Sequence, residues 1–472
     1  MNYRSLAKNA GAAFLAQGVA MCLSVIQTLL VPKLLGTTQY GYWQLFIFYT
    51  SYVGFAHLGL NDGVYLIKGG QTRDVIDKKS VNSQFLFGLL YQSLFAAIIL
   101  VLAVKGGFGP DREFVIICTG IFLLIQNAAY YLMFVLQLMN ETRRSSYSTI
   151  VERLTFLVPL LVLLAVHYHS YRPFVISYIL SGIVQLAYCS WYCRDFFRAG
   201  LEPLAQTATE SWESIRVGFK LMMANIASQL VLGIARFAID AAWGIDTFGE
   251  LSLSLSLVNF FLQFVSQASM VLFPALRQSD ISETKGFFVN ARDSMSLFFP
   301  LIYVLYYPMV GLLSLWLPKY ANSFVYFAFL IPICVFDSKM NICCTTFFKV
   351  LRKEGTLLKV NMCTCVMSAV LTLLGVYGLG SIFWVIGGVV VAIVGRSLWS
   401  EARLTRELAV PSDRTITVGE LALTVVFVAT AFMLPSFVAL GCYCVAYAVF
   451  LFAFRSRAGE LLCKMRRVAR RR

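Results

Sequence analysis

The sequence predicts an all-α polytopic membrane protein built as two similar halves, and three observations carry that reading. Hydrophobic residues make up 59% of the chain and charged residues 13%, with a mean hydropathy of +0.73. A soluble domain has roughly 45–50% and 25%. Apolar runs recur along the whole length, each near the roughly 20 residues a helix needs to cross a hydrocarbon core. Helices satisfy their own backbone groups there and are the expected spanning element. The third observation is a repeated hairpin, two apolar segments around a glycine–aromatic–glycine turn. It occurs at Gly36-Thr37-Thr38-Gln39-Tyr40-Gly41 and again at Gly244-Ile245-Asp246-Thr247-Phe248-Gly249. The offset that carries Gly36 onto Gly244 also carries Gln17 onto Asn225. Two repeated halves around a shared cavity are a transporter plan.

Fourteen spans are expected, at 10–31, 41–60, 83–104, 114–135, 149–167, 173–193, 216–239, 248–273, 293–317, 323–346, 357–378, 380–400, 416–434 and 436–454. Of the 39 lysines and arginines, only Lys33, Lys105, Arg112, Arg172 and Lys319 fall in the loops opposite the N-terminus. The positive-inside rule then puts both termini in the cytoplasm. The net charge of +15 is mostly this loop bias, heaviest in the tail 455–472. Beside a last membrane helix such a tail is read as a contact for anionic lipid headgroups, and no nucleic-acid partner is expected.

Enzymatic classes find little support. The outward connections are short, and no P-loop or nucleotide fingerprint of useful specificity is present. The twelve cysteines fall almost wholly in spans, without a histidine or carboxylate cluster. There they act as small hydrophobes, and no metal or cofactor is expected.

Ionisable residues inside spans are costly and mark wet cavities. In the first half the first span contributes Asn9, Gln17, Ser24 and Gln27, and the second contributes Gln44, Ser51, His57, Asn61 and Asp62, with His57 a candidate proton carrier or a hydrogen-bonded structural residue. In the second half Asn225, Gln229, Gly233 and Arg236 step by three or four along one helical stripe. Ser252, Ser256, Asn259 and Gln263 answer on the next span. The two stripes imply a water-accessible lumen with Arg236 as its positive charge. Lys339 and, one turn into the seventh span, Lys220 are the accessory cations. Asp337 is a coupling candidate that faces away from Lys339.

The run Lys33-Leu34-Leu35-Gly36, followed by Tyr40-Gly41, resembles the opening hairpin of the polysaccharide or oligosaccharide flippase family. This family belongs to the superfamily of multidrug, oligosaccharidyl-lipid and polysaccharide exporters. The stretch from Gly218 through Arg236 and Gly244 to Pro274 resembles its counterpart, with Ala235 where the family often has aspartate. The resemblance implies two six-helix lobes around a V-shaped cavity, at 1–193 and 216–402. It also implies a cytoplasmic linker at 194–215, two added helices at 403–454 and the basic tail. The implied substrate is an O-antigen-type oligosaccharide on a polyprenyl diphosphate, moved across a bacterial inner membrane beside a polysaccharide polymerase. A diphosphate suits cationic partners, and sugars suit amide and hydroxyl stripes. The alternatives are a cation-coupled multidrug exporter of the same fold and a membrane polymerase or ligase.

Overall fold

A computed structural model describes residues 18–19, 21–277, 281–411 and 414–470. Among these residues every regular element is helical. The first unit begins with α1 (Met21–Leu29), which meets α2 (Val31–Thr50) at a 72° bend. A 3₁₀ turn (Val53–His57) leads to α3 (Leu60–Lys68), then α4 (Lys78–Lys105), α5 (Pro110–Leu138), α6 (Thr142–Ala165), α7 (Arg172–Tyr192) and α8 (Arg194–Phe197). The long α9 (Leu204–Arg277) comes next. The remaining helices are α10 (Ile281–Phe298), α11 (Ile302–Trp316), α12 (Ala321–Leu330), α13 (Pro332–Lys339), α14 (Thr346–Val350), α15 (Glu354–Leu373), α16 (Ile382–Glu407), α17 (Arg414–Met433), α18 (Ser436–Ala453) and α19 (Arg455–Arg470). A π-helical stretch, Met340–Thr345, separates α13 from α14.

Among the described residues eleven helices are long and apolar enough to cross a membrane, or up to twelve if the bent pair counts as one span. The expected fourteen is not confirmed among the described residues, for two reasons. Positions 10–17 and 20 of the span at 10–31 lie outside them, and each repeated hairpin runs on through its turn. The candidate membrane helix on α9, Leu204–Ser266, covers 63 residues. That is about 95 Å at 1.5 Å per residue, some three hydrocarbon thicknesses, so it holds more than one crossing.

Both hairpins break at the glycine that the repeat aligns. Gly36 has φ 73° and ψ 178°, and Gly244 has φ 83° and ψ −177°. This region of backbone space is essentially reserved for glycine. A Cβ at either position would meet nothing within 4 Å, so the backbone angle, not space, requires glycine.

The chain divides into two compact units, Met1–Ile226 and Ala227–Arg472. The first has an aromatic core in which Trp43 stacks on Phe156 at 5.9 Å. A second cluster gathers Leu60, Phe85, Tyr131, Leu132, Cys189 and Phe196. Much of the stretch 194–215, expected as a linker, is helical, and the start of α9 packs on this unit. At that crossing a Cβ on Gly63 would lie 1.8 Å from the Ser214 carbonyl oxygen, and one on Gly218 would lie 2.0 Å from that of Gly59. Small residues alone allow two helices so close. Ser214 Oγ donates to Gln84 Oε1 at 2.8 Å, and Ser80 Oγ donates to Glu210. The division accordingly falls inside the span expected at 216–239.

At one end of this unit Arg73 grips Glu141 through two bonds of 2.8 and 2.9 Å and Asp195 at 2.7 Å, and neither carboxylate lies in a candidate membrane span. Arg144 joins Glu141 at 2.6 Å and Lys78 joins Asp195 at 2.9 Å. Burial pushes both carboxyls up, but the Arg73 and Arg144 guanidiniums outweigh it at Glu141, and Lys78 with Arg73 outweigh it at Asp195. Both are held below their ordinary values.

The second unit packs Phe288, Phe347, Phe348, Leu357 and Leu404 together. It also packs Tyr303 against Phe427 at 4.5 Å.

Candidate substrate and ion sites

Arg236 is placed by its own hairpin. It lies on α9 before the Gly244 break, and its Nη2 donates across the turn to Ser252 Oγ at 3.0 Å. Its guanidinium carbon sits 5.0 Å from the centre of the Phe248 ring, a cation–π contact. Ser252 and Phe248 are fully buried while Arg236 is half-buried. The side chain borders a small apolar pocket with Leu232, Leu255, Leu330 and Ile386.

Along α9 the polar stripe beyond the break passes from buried Ser252 through half-buried Ser256 to exposed Asn259 and half-buried Gln263. Gln229 is exposed in the second unit, and Asn225 and Lys220 are exposed in the first. Asn9 and Gln17 lie outside the described residues.

Lys339 and Asp337 sit in a different setting, the interior of the second unit. Lys339 is fully buried, and its Nζ contacts Glu401 Oε2 at 2.7 Å, Glu420 Oε2 at 2.9 Å and Ser296 Oγ at 2.7 Å. Arg292 contacts Asp293 at 2.8 Å and lies 3.9 Å from Glu401, and Arg457 reaches Asp293 at 2.7 Å. Lys339, Arg292 and Arg457 thus link Glu401, Glu420 and Asp293 into one network, which Arg457 extends to Glu460 at 3.5 Å. Asp337 pairs with Arg396, which also donates to Ser228 Oγ at 3.3 Å.

His57 ends the 3₁₀ turn of the first unit. Its Nδ1 accepts from the Gly59 N–H at 2.9 Å, and its Nε2 lies 3.9 Å from Asp62 Oδ2.

Glu401, Glu420, Arg396 and the buried Glu152 were not among the residues expected from the sequence. The signal that singles out Lys339, an ionisable residue within an apolar run, also applies to Arg396 in 380–400 and Glu420 in 416–434. Glu401 falls one residue past its expected span. Among the described residues no three histidine, cysteine or carboxylate side chains form a group that suits a metal ion.

Among the described residues the chain is thus a wholly helical, multi-pass membrane protein with a repeated, glycine-broken hairpin whose second copy positions Arg236. The chain belongs to the polysaccharide biosynthesis protein family, whose model matches residues 6–280, more than half of it. Its fold is similar to solved structures at low identity. A multidrug resistance MATE family transporter of the MOP superfamily, inward-facing, is 11% identical with a TM-score of 0.64, covering 82% of this chain and 94% of that one. The lipid II flippase MurJ in an inward closed conformation is 10% identical with a TM-score of 0.57, covering 95% and 99%. The Vibrio cholerae MATE transporter VcmN is 14% identical with a TM-score of 0.53, covering 86% and 97%. No curated protein sequence matches the chain.

Proposed function

We propose that this protein flips an oligosaccharide carried on a polyprenyl diphosphate from the cytoplasmic to the outer leaflet of a bacterial inner membrane, by alternating access, in surface polysaccharide biosynthesis. The observation that carries the reading is Arg236, a cation fixed at the glycine break of the second hairpin with amide and hydroxyl side chains stepping away along the same helix. The guanidinium fork suits phosphate oxygens, and the amides suit sugar hydroxyls. The family match and the structural likeness to a lipid II flippase support the same reading. Both termini are assigned to the cytoplasm.

The test is the leaflet location of the lipid-linked oligosaccharide in cells that lack the protein and in cells that express it. Wild type restores outward delivery. Arg236→Ala lowers its rate by about 10²-fold, in line with losing one charge-assisted contact of about 2–3 kcal/mol. Normal delivery in the protein's absence overturns the proposal, and drug resistance conferred by expression puts a multidrug exporter in its place.

A further inference from the structure

The first unit holds a second polar site that the flippase reading does not use. The 3₁₀ turn Val53–His57 ends in two left-handed residues, Leu58 (φ 51°) and Gly59 (φ 93°), before α3 begins. This break is pinned from both neighbouring helices. Tyr91 on α4 donates to the His57 carbonyl at 2.8 Å, and Asn127 Nδ2 on α5 donates to the Val53 carbonyl at 2.9 Å. Beneath it Asn61 on α3, Gln92 on α4 and Asn127 on α5 line one small pocket with Leu60, Phe85 and Gly88. The three carboxamides are 2%, 3% and 1% exposed. Asn61 Oδ1 and Nδ2, Gln92 Oε1 and Asn127 Oδ1 have no hydrogen-bond partner there. The pocket has space for a guest of about the size of one water.

Buried polar atoms are nearly always satisfied, so four in one pocket point to a bound species. Three acceptors stand against one donor, an excess that favours a cation. Carboxamide oxygens are hard ligands, and a wholly neutral set lacks the carboxylates that divalent ions take. The nearby carboxylate, Asp62, is the next residue after Asn61 and faces only His57 at 3.9 Å. We propose that Asn61, Gln92 and Asn127 form a site for a sodium-sized monovalent cation that clamps the break between the 3₁₀ turn and α3. Broken membrane helices are where transporters place coupling ions. The proposal stands apart from the flippase reading, because cation binding is measured without any lipid substrate.

The full-length protein is melted in detergent in NaCl, KCl and choline chloride at equal ionic strength, and ²²Na⁺ binding is measured directly. Sodium raises the melting temperature saturably by about 2–5 °C over choline, and more than potassium does. Gln92→Met removes one ligand oxygen at similar length and weakens sodium affinity at least about tenfold. Gln92→Glu adds a carboxylate and makes calcium stabilising, which it is not for the wild type. Identical melting in all three salts without saturable ²²Na⁺ binding overturns the proposal and leaves a water in the pocket. A sodium response unchanged by both substitutions also overturns it, because the ion then lies elsewhere.

Discussion

Replacing Lys339 by methionine keeps most of the side-chain volume and deletes a charge that two carboxylates share. At 2.7 and 2.9 Å, and with an effective dielectric near 20, each contact is worth about 6 kcal/mol of attraction before desolvation. Desolvation offsets most of this, so the informative quantity is the cost of leaving a partner alone. Glu401 keeps Arg292 at 3.9 Å, but among the described residues Glu420 has no other cation within ion-pair distance, and its residue is fully buried. One stranded carboxylate costs about 3–5 kcal/mol. At about 2 °C per kcal/mol for a large chain, the melting temperature of the solubilised protein falls by about 6–10 °C. Combining Lys339→Met with Glu420→Gln removes the stranded carboxylate and recovers at least about 2 kcal/mol, a coupling that a double-mutant cycle measures. The reasoning is refuted if the single variant melts within about 2 °C of wild type, or if the double variant melts no higher than the single. A single variant of unchanged stability that fails to flip substrate assigns Lys339 to transport instead.

Two further predictions rest on backbone and loop charge. Gly36→Ala and Gly244→Ala each cost about 1–3 kcal/mol through the positive-φ backbone alone. Gly54→Ala, also in open space but without a positive φ, carries no such cost, and thermal melting of the three variants checks this. The Arg73 cluster makes stability acid-sensitive. Glu141 and Asp195 have folded values below the ordinary 4.5 and 3.8, so their contribution is present above those values and is lost as pH falls through the lower folded ones. Melting temperature therefore declines below about pH 4.5 in low salt. Arg73→Ala removes part of that acid dependence, with Arg144 and Lys78 keeping the rest, and the two curves converge at low pH.

The hairpin repeat was legible because its determinant is local. Only glycine tolerates the angles at Gly36 and Gly244, so the residue itself marks the break. Arg236 was legible for a similar reason, since its partners Phe248 and Ser252 lie within the same hairpin. The surroundings of Lys339 were not, because Glu401 and Glu420 come from helices far along the chain and no local spacing relates them. The Asn61 pocket escaped for another reason. Asparagine and glutamine are common in spans as ordinary helix-to-helix links, and only the packed structure reveals which oxygens have nothing to bond. The two halves of α9 also hid a boundary, since the crossing at Gly63 and Gly218 is a matter of closeness, which hydropathy does not report.

The π-helical stretch Met340–Thr345 has a consequence for phase. A π turn holds more residues than an α turn, and each extra residue rotates the rest of the helix by about 100°. Before it, Asp337 and Lys339 are aimed at Arg396 and at the two glutamates. After it, Phe347 and Phe348 are aimed into the apolar cluster around Phe288 and Leu404. One continuous rod thereby presents an ionic lock and a greasy lock on bearings that an unbroken α-helix could not serve together. Losing a single residue from 340–345 would leave both sets of side chains intact in composition and put one of them out of step with its partners.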